Sequence, residues 1–117
     1  MHNYKELKVW QKAVDMAVDV YKSTESLPPD ERFGLTSQIR RSVVSVSSNI
    51  AEGAGRNTPG EFNQFLGYAY GSTCELDTQL IIANKLDFIE KQNFLMLESE
   101  IERLQKMLYN LKKSMKK

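Results

Sequence analysis

"TPGEFNQFLGYAYGSTCELDTQLIIAN", residues 58–84, carries the pattern that decides the fold. Thr58 is a good helix N-cap and Pro59 suits the first helical position. Glu61, three residues after the cap, completes the signature of a capping box. Phe62, Leu66, Ala69, Thr73, Leu76, Leu80 and Ala83 then follow at alternating spacings of four and three. That alternation is the seam of a helical bundle, because it keeps one stripe of a long helix facing its partners.

The same period recurs on both sides of this stretch. Prolines at 28, 29 and 59 divide the chain, and Leu86-Asp87-Phe88 marks a third break. Helix 1, expected over 4–24, repeats Leu7, Trp10, Val14, Ala17 and Tyr21. Val9, Ala13, Met16 and Val20 widen its apolar arc toward about 200°. Helix 2, expected over 31–54, carries Leu35, Ile39, Val43, Val46 and Ile50 on one stripe. Helix 3 is expected over 59–86. Helix 4, over 91–115, repeats Phe94, Leu97, Ile101, Leu104, Leu108, Leu111 and Met115. No segment alternates with period two. Short connections between such helices give an all-α fold, an antiparallel up-and-down four-helix bundle forming a single domain over 1–117.

Helices 1 and 3 carry more apolar surface than one inward stripe requires. On helix 3, Tyr68, Tyr70, Ile81, Ile82 and Leu86 lie off the main seam. Surface of this kind either wraps the edges of the core or meets a second copy of the chain, and self-association is the expectation.

Composition narrows the function. The 117 residues have a net charge of +1, so no strong overall field draws nucleic acid or anionic membrane. The charge is uneven, with one base against four acids over 59–89 and seven bases against four acids from residue 90 onward. One cysteine, Cys74, allows no internal disulfide and fits a reducing compartment. MHNYKELKVW has neither the charge pattern nor the apolar run of a signal peptide, and no apolar run suits a membrane span. The expected location is cytoplasmic.

Helix 2 has a polar arc separate from its apolar stripe: Gln38, Arg41, Ser45, Ser48, Asn49, Glu52 and Arg56. Two readings stand side by side. One is a buried or interfacial polar network in which Arg41 or Arg56 forks onto a carboxylate, with Glu75 on helix 3 as the natural partner. Gly71, one turn earlier, would let the helices approach. The other is a ligand or catalytic site. The chain supplies little for the second. His2 is the only histidine, so a di-iron bundle set is out of reach and Cys74 has no base to activate it. Cys74 is expected as a small buried or interfacial side chain. Gly53-Ala54-Gly55-Arg56 follows a helix, not a strand, and lacks the lysine of a phosphate loop. It leads to the start of helix 3, where free N–H groups beside Arg56 offer a minor anion-binding reading. No catalytic residue, cofactor, metal or small-molecule substrate is therefore expected. The tail of helix 4, with Lys112, Lys113, Lys116 and Lys117, is the candidate nucleic-acid contact, since a ring of such tails would concentrate positive charge.

Three stretches carry a family resemblance: LKVWQKAVDMAVDVY, FGLTSQIRRSVVSVSSNIAEGAGR and EFNQFLGYAYGSTCELDTQL. They resemble the bacterial four-helix-bundle proteins encoded in intervening sequences of 23S ribosomal RNA genes. The match runs from about Tyr4 to Ile89, chiefly through Gln38-Ile39-Arg40-Arg41, Asn49-Ile50-Ala51-Glu52-Gly53, Arg56, Gly71-Ser72 and Glu75-Leu76; helix 4 matches only in pattern. The resemblance implies a ring-shaped homo-oligomer, typically a homopentamer, for which no activity is established in most members. It extends to the accessory variability proteins of diversity-generating retroelements, which bind a reverse transcriptase and RNA through a basic surface. The near-neutral charge of this chain departs from those proteins. Carried onto matching positions, Arg41, Asn49, Glu52, Arg56 and Glu75 are family-marking residues with a structural role. The expected function is that of a non-enzymatic interaction protein that assembles with itself. The alternative is an RNA- or DNA-binding accessory protein acting on ribosomal RNA or with a reverse transcriptase.

Overall fold

The computed structural model describes residues 3–115. Four α-helices account for most of it: α1 (Lys8–Ser23), α2 (Leu35–Ala54), α3 (Pro59–Lys85) and α4 (Lys91–Ser114). Among the described residues there is no strand. The helices stand at the corners of a square, α1 on α2, α2 on α3, α3 on α4 and α4 back on α1, with α2 and α3 sharing the most extensive contact. Neighbours run antiparallel. Ser42 meets Gln79 while Ser45 meets Ser72, and Thr73 meets Gln105 while Asn63 meets Lys112. The chain is thus the up-and-down bundle that the seams of helices 3 and 4 require, 45 Å long and 24 by 20 Å across.

The helix starts follow local chemistry. Thr58 Oγ1 accepts from the Glu61 amide at 3.1 Å and donates to Glu61 Oε1 at 3.2 Å, so cap and carboxylate close on each other through side chains. Pro28 and Pro29 hold the preceding chain extended and then in one 3-10 turn, Pro29–Glu31. Gly34, at φ −112° and ψ −111°, follows that turn, and α2 begins only at Leu35 instead of near residue 31. The N-terminus also starts as a 3-10 turn, Tyr4–Glu6, and Leu7 is extended before α1 begins. α3 ends in a reversed turn. The Phe88 amide donates to Ala83 O and the Asp87 amide to Asn84 O, with Asp87 left-handed at φ 59°. Ser26 Oγ donates to Phe88 O at 2.9 Å and ties the α1–α2 connection to this turn.

The core is one cluster. Ile39, Val43, Val46 and Ile50 of α2 and Leu66, Leu76 and Leu80 of α3 are fully buried. Leu97, Ile101, Leu104 and Leu108 close it from α4. On α1 the structure corrects the reading of the sequence. The inward stripe is Val9, Ala13, Met16 and Val20, all buried, whereas Leu7, Trp10, Val14 and Ala17 are half-buried and Tyr21 is exposed. With an arc that wide, the centre of the stripe is set by where α4 and α2 sit, not by α1 itself.

Candidate functional site

The polar arc of α2 splits in two. Its inner edge faces α3. Ser42 Oγ donates to Gln79 Oε1 at 2.9 Å, both residues being buried. Ser45 Oγ and Ser72 Oγ share a hydrogen bond of 2.9 Å, and Asn49 Nδ2 donates to Ser45 O and Oγ at 2.8 and 3.0 Å. Apart from Gln79 these are short side chains on closely packed helices, so their hydrogen bonds form without a long reach. The outer edge, Arg41, Ser48, Glu52 and Arg56, is exposed. Arg56 Nη2 pairs with Glu52 Oε2 at 3.4 Å one turn earlier, and its guanidinium lies 4.6 Å from the centre of the Phe65 ring. The charge of Arg56 is thus held by Glu52 and an aromatic face.

The arginine–Glu75 fork is not formed. Glu75 is exposed, and its described contact is a long one of 3.5 Å from Gln79 Nε2. Arg41 is exposed on the neighbouring helix without a partner among the described residues. Within one chain an exposed carboxylate with one weak contact contributes little, so in the dissociated monomer Glu75→Ala should change stability by no more than about 0.5 kcal/mol in urea denaturation. A loss near 3 kcal/mol would mean that Glu75 is buried against a cation.

Other expectations also shift. Gly71 has open space around it, and the close approach is at Gly53, where an added Cβ would lie 2.6 Å from Phe65 Cβ. Cys74, expected to be buried or interfacial, is not buried within the chain but exposed, with Gln105 Nε2 3.8 Å from its sulfur. Lys112 is half-buried, and its ammonium donates to Asn63 O at 3.2 Å and Oδ1 at 3.3 Å, so it ties α4 to α3. Lys113 is exposed, and Lys116 and Lys117 lie outside the described residues. Among the described residues no His, Cys, Asp and Glu cluster is placed to hold a metal ion, and no helix is long and apolar enough to cross a membrane.

Two features are not apparent from the helical stripes. The first is a pair of carboxyl contacts flanking α4. Glu98 faces Asp77 of α3, and burial pushes it up to about 7, helped by the hydrogen bond to Asp77 and by repulsion from Asp77 and Glu102. Asp77 Oδ1 and Glu98 Oε2 are both sealed from solvent, and as ionised acceptors neither can donate to the other. One proton between them turns the pair into a hydrogen bond. On the other flank Glu100 meets Asp19 of α1 in a groove of about 290 Å³ that also holds Lys12, Asp15 and Arg103. Burial again raises Glu100 to about 7, aided by Asp19 and opposed by Arg103. The second feature is an outward groove of about 510 Å³ between α1 and α2, floored by Val14, Ala17, Val18, Tyr21 and Val44.

The fold and these sites define a small helical-bundle protein with polar helix contacts and free apolar faces. The chain belongs to the 23S rRNA-intervening sequence protein family, whose model matches residues 5–110. It is also similar to a crystal structure of a protein of unknown function from the S23 ribosomal protein family of Bacteroides thetaiotaomicron. That similarity has a TM-score of 0.80 at 22% identity and covers 90% of this chain and 98% of the other. At that identity the likeness concerns the fold. No curated protein matches the chain.

Proposed function

We propose that this protein is a non-enzymatic interaction protein that works as a self-assembled homo-oligomer, with a ring of five favoured. The observation that carries the reading is apolar surface left over once the core is complete. Val18, Tyr21 and Val44 remain exposed on one side, and Tyr68, Ile82 and Leu86 on another. Such faces on a small bundle are interaction surfaces. The family takes its name from 23S ribosomal RNA intervening sequences, a name that specifies no reaction. Self-assembly is favoured over nucleic-acid binding because Lys112, one of the four candidate lysines, is held by Asn63.

Light scattering on the purified chain tests this. The expected mass is a multiple of the 13.4 kDa monomer, with five copies favoured. A strict monomer at about 10 μM, a concentration at which a stable interface of standard size persists, overturns the proposal.

A further inference from the structure

We infer that the contact between copies is head to tail: the α3 ridge of Tyr68, Glu75, Ile82 and Leu86 seats in the α1–α2 groove of the next copy. The inference rests on the self-assembly proposed above and names its surfaces. The ridge residues recur at seven-residue spacing and then at Leu86, so they form one strip running about 27 Å along the helix. Ile82 and Leu86 are 44% and 53% exposed, large values for aliphatic side chains in the last turn of a helix and at its C-cap. The groove offers complementary shape. Apart from Tyr21, its floor is Ala17, Ser47 and three valines, short side chains that leave room for a protruding helix edge.

Charge selects a second copy as the occupant. Arg40 lines the groove, and Arg41 stands beside it in an adjoining hollow that shares Tyr21, Arg40 and Val44 with it. Arg40 is already committed, donating to Thr24 Oγ1 and Tyr21 O and lying 4.7 Å from the Tyr21 ring centre. Arg41 is free. The ridge carries Glu75 between its apolar residues, and α3 with the turn after it has four acids against one base. A free arginine beside an apolar groove and an exposed carboxylate on an apolar ridge match each other across a contact. They do not pair within one chain.

The two faces also close a ring. Gln79, one turn from Glu75, bonds α2, and Tyr68 packs edge-on against Phe65, which abuts Gly53 of α2. The ridge therefore flanks α2 on one side as the groove flanks it on the other. Faces on adjoining sides of a square bundle point about 90° apart. Head-to-tail contacts separated by about 90° to 108° close after four or five copies. Ser48 and Glu52, on the corner between the two faces, then turn toward the ring axis.

The test uses two variants of the full chain, Val44→Lys in the groove and Ile82→Lys on the ridge. Both positions are exposed, so helicity and melting temperature should match wild type. Each variant alone should fall from the wild-type assembly to the 13.4 kDa monomer. Mixed at about 100 μM each, they should form a dimer and nothing larger, because one intact groove meets one intact ridge. Arg41→Glu and Glu75→Arg should each weaken assembly at least tenfold, and their combination should restore it. If both lysine variants keep the wild-type mass, or their mixture stays monomeric, the groove–ridge contact is wrong while self-assembly stands. If wild type is itself a monomer, self-assembly fails and this contact with it.

Discussion

Gly53→Val is expected to destabilise the bundle by about 3 kcal/mol, while Gly55→Ala, two residues on, leaves it unchanged or improves it by about 0.5 kcal/mol. Gly53 is buried in the last turn of α2. A Cβ there would meet Phe65 Cβ at 2.6 Å, Phe62 Cδ1 at 3.0 Å and Phe62 O at 3.3 Å. The first of these is the root of a side chain and the last is backbone, so no rotamer change relieves the contact. α2 and α3 must move apart, and Phe62, a core residue, moves with them. Removing a glycine from a helix returns up to about 1 kcal/mol, and the β-branched valine recovers less of it than alanine would. Gly55 differs in each respect. It caps α2 at φ −83°, and its added Cβ would meet carbonyl oxygens at 3.6 and 3.8 Å, ordinary contact. Urea denaturation of the two variants checks the contrast. A Gly53→Val loss below about 0.5 kcal/mol would show that the α2–α3 contact is loose.

The contrast shows what sequence could and could not reveal. Thr58, Pro59 and Glu61 announce the start of α3 because capping is settled within four residues. The seams of α3 and α4 announce the bundle because period belongs to the helix alone. Everything that depends on a neighbour is harder to read. Gly71 and Gly53 are alike as letters, and only the presence of Phe62 and Phe65 opposite one of them makes it the close contact. Likewise the α1 arc was visibly wide, but its centre depends on α4. Glu75 looked like a partner for an arginine because both are long and charged. In the folded chain the short residues Ser42, Ser45, Asn49 and Ser72 occupy the inside of the α2–α3 contact. The charged residues of the same arc stand outside it. The carboxyl pairs of α4 left no sequence signal, since acids on adjacent helices are indistinguishable from acids on a solvated face.

Those pairs carry the second large prediction: the chain should be more stable near pH 5 than at pH 8, by about 2 kcal/mol. Glu98 and Glu100 sit at about 7 in the folded chain, against an ordinary value of 4.5. Between those limits the folded state binds more protons than the unfolded chain. Stability therefore falls as pH rises. The contribution is complete below about 4.5 and is lost as pH climbs through about 7. Buried groups displaced this far would each carry several kcal/mol, but these carboxyls are half-exposed and screening leaves about 1 kcal/mol per pair. Both pairs fasten α4, one to α3 through Asp77 and one to α1 through Asp19, so the loss concentrates on that helix. Amide exchange should show α4 losing protection first as pH rises, after correction for the intrinsic rate. Replacing both residues supplies the control. Glu98→Gln with Glu100→Gln keeps a donor at each position without a charge, so its urea midpoint should vary little from pH 5 to pH 8 and should exceed wild type at pH 8. A wild-type midpoint that stays flat or rises over that range would mean that both pairs are ionised in the folded chain.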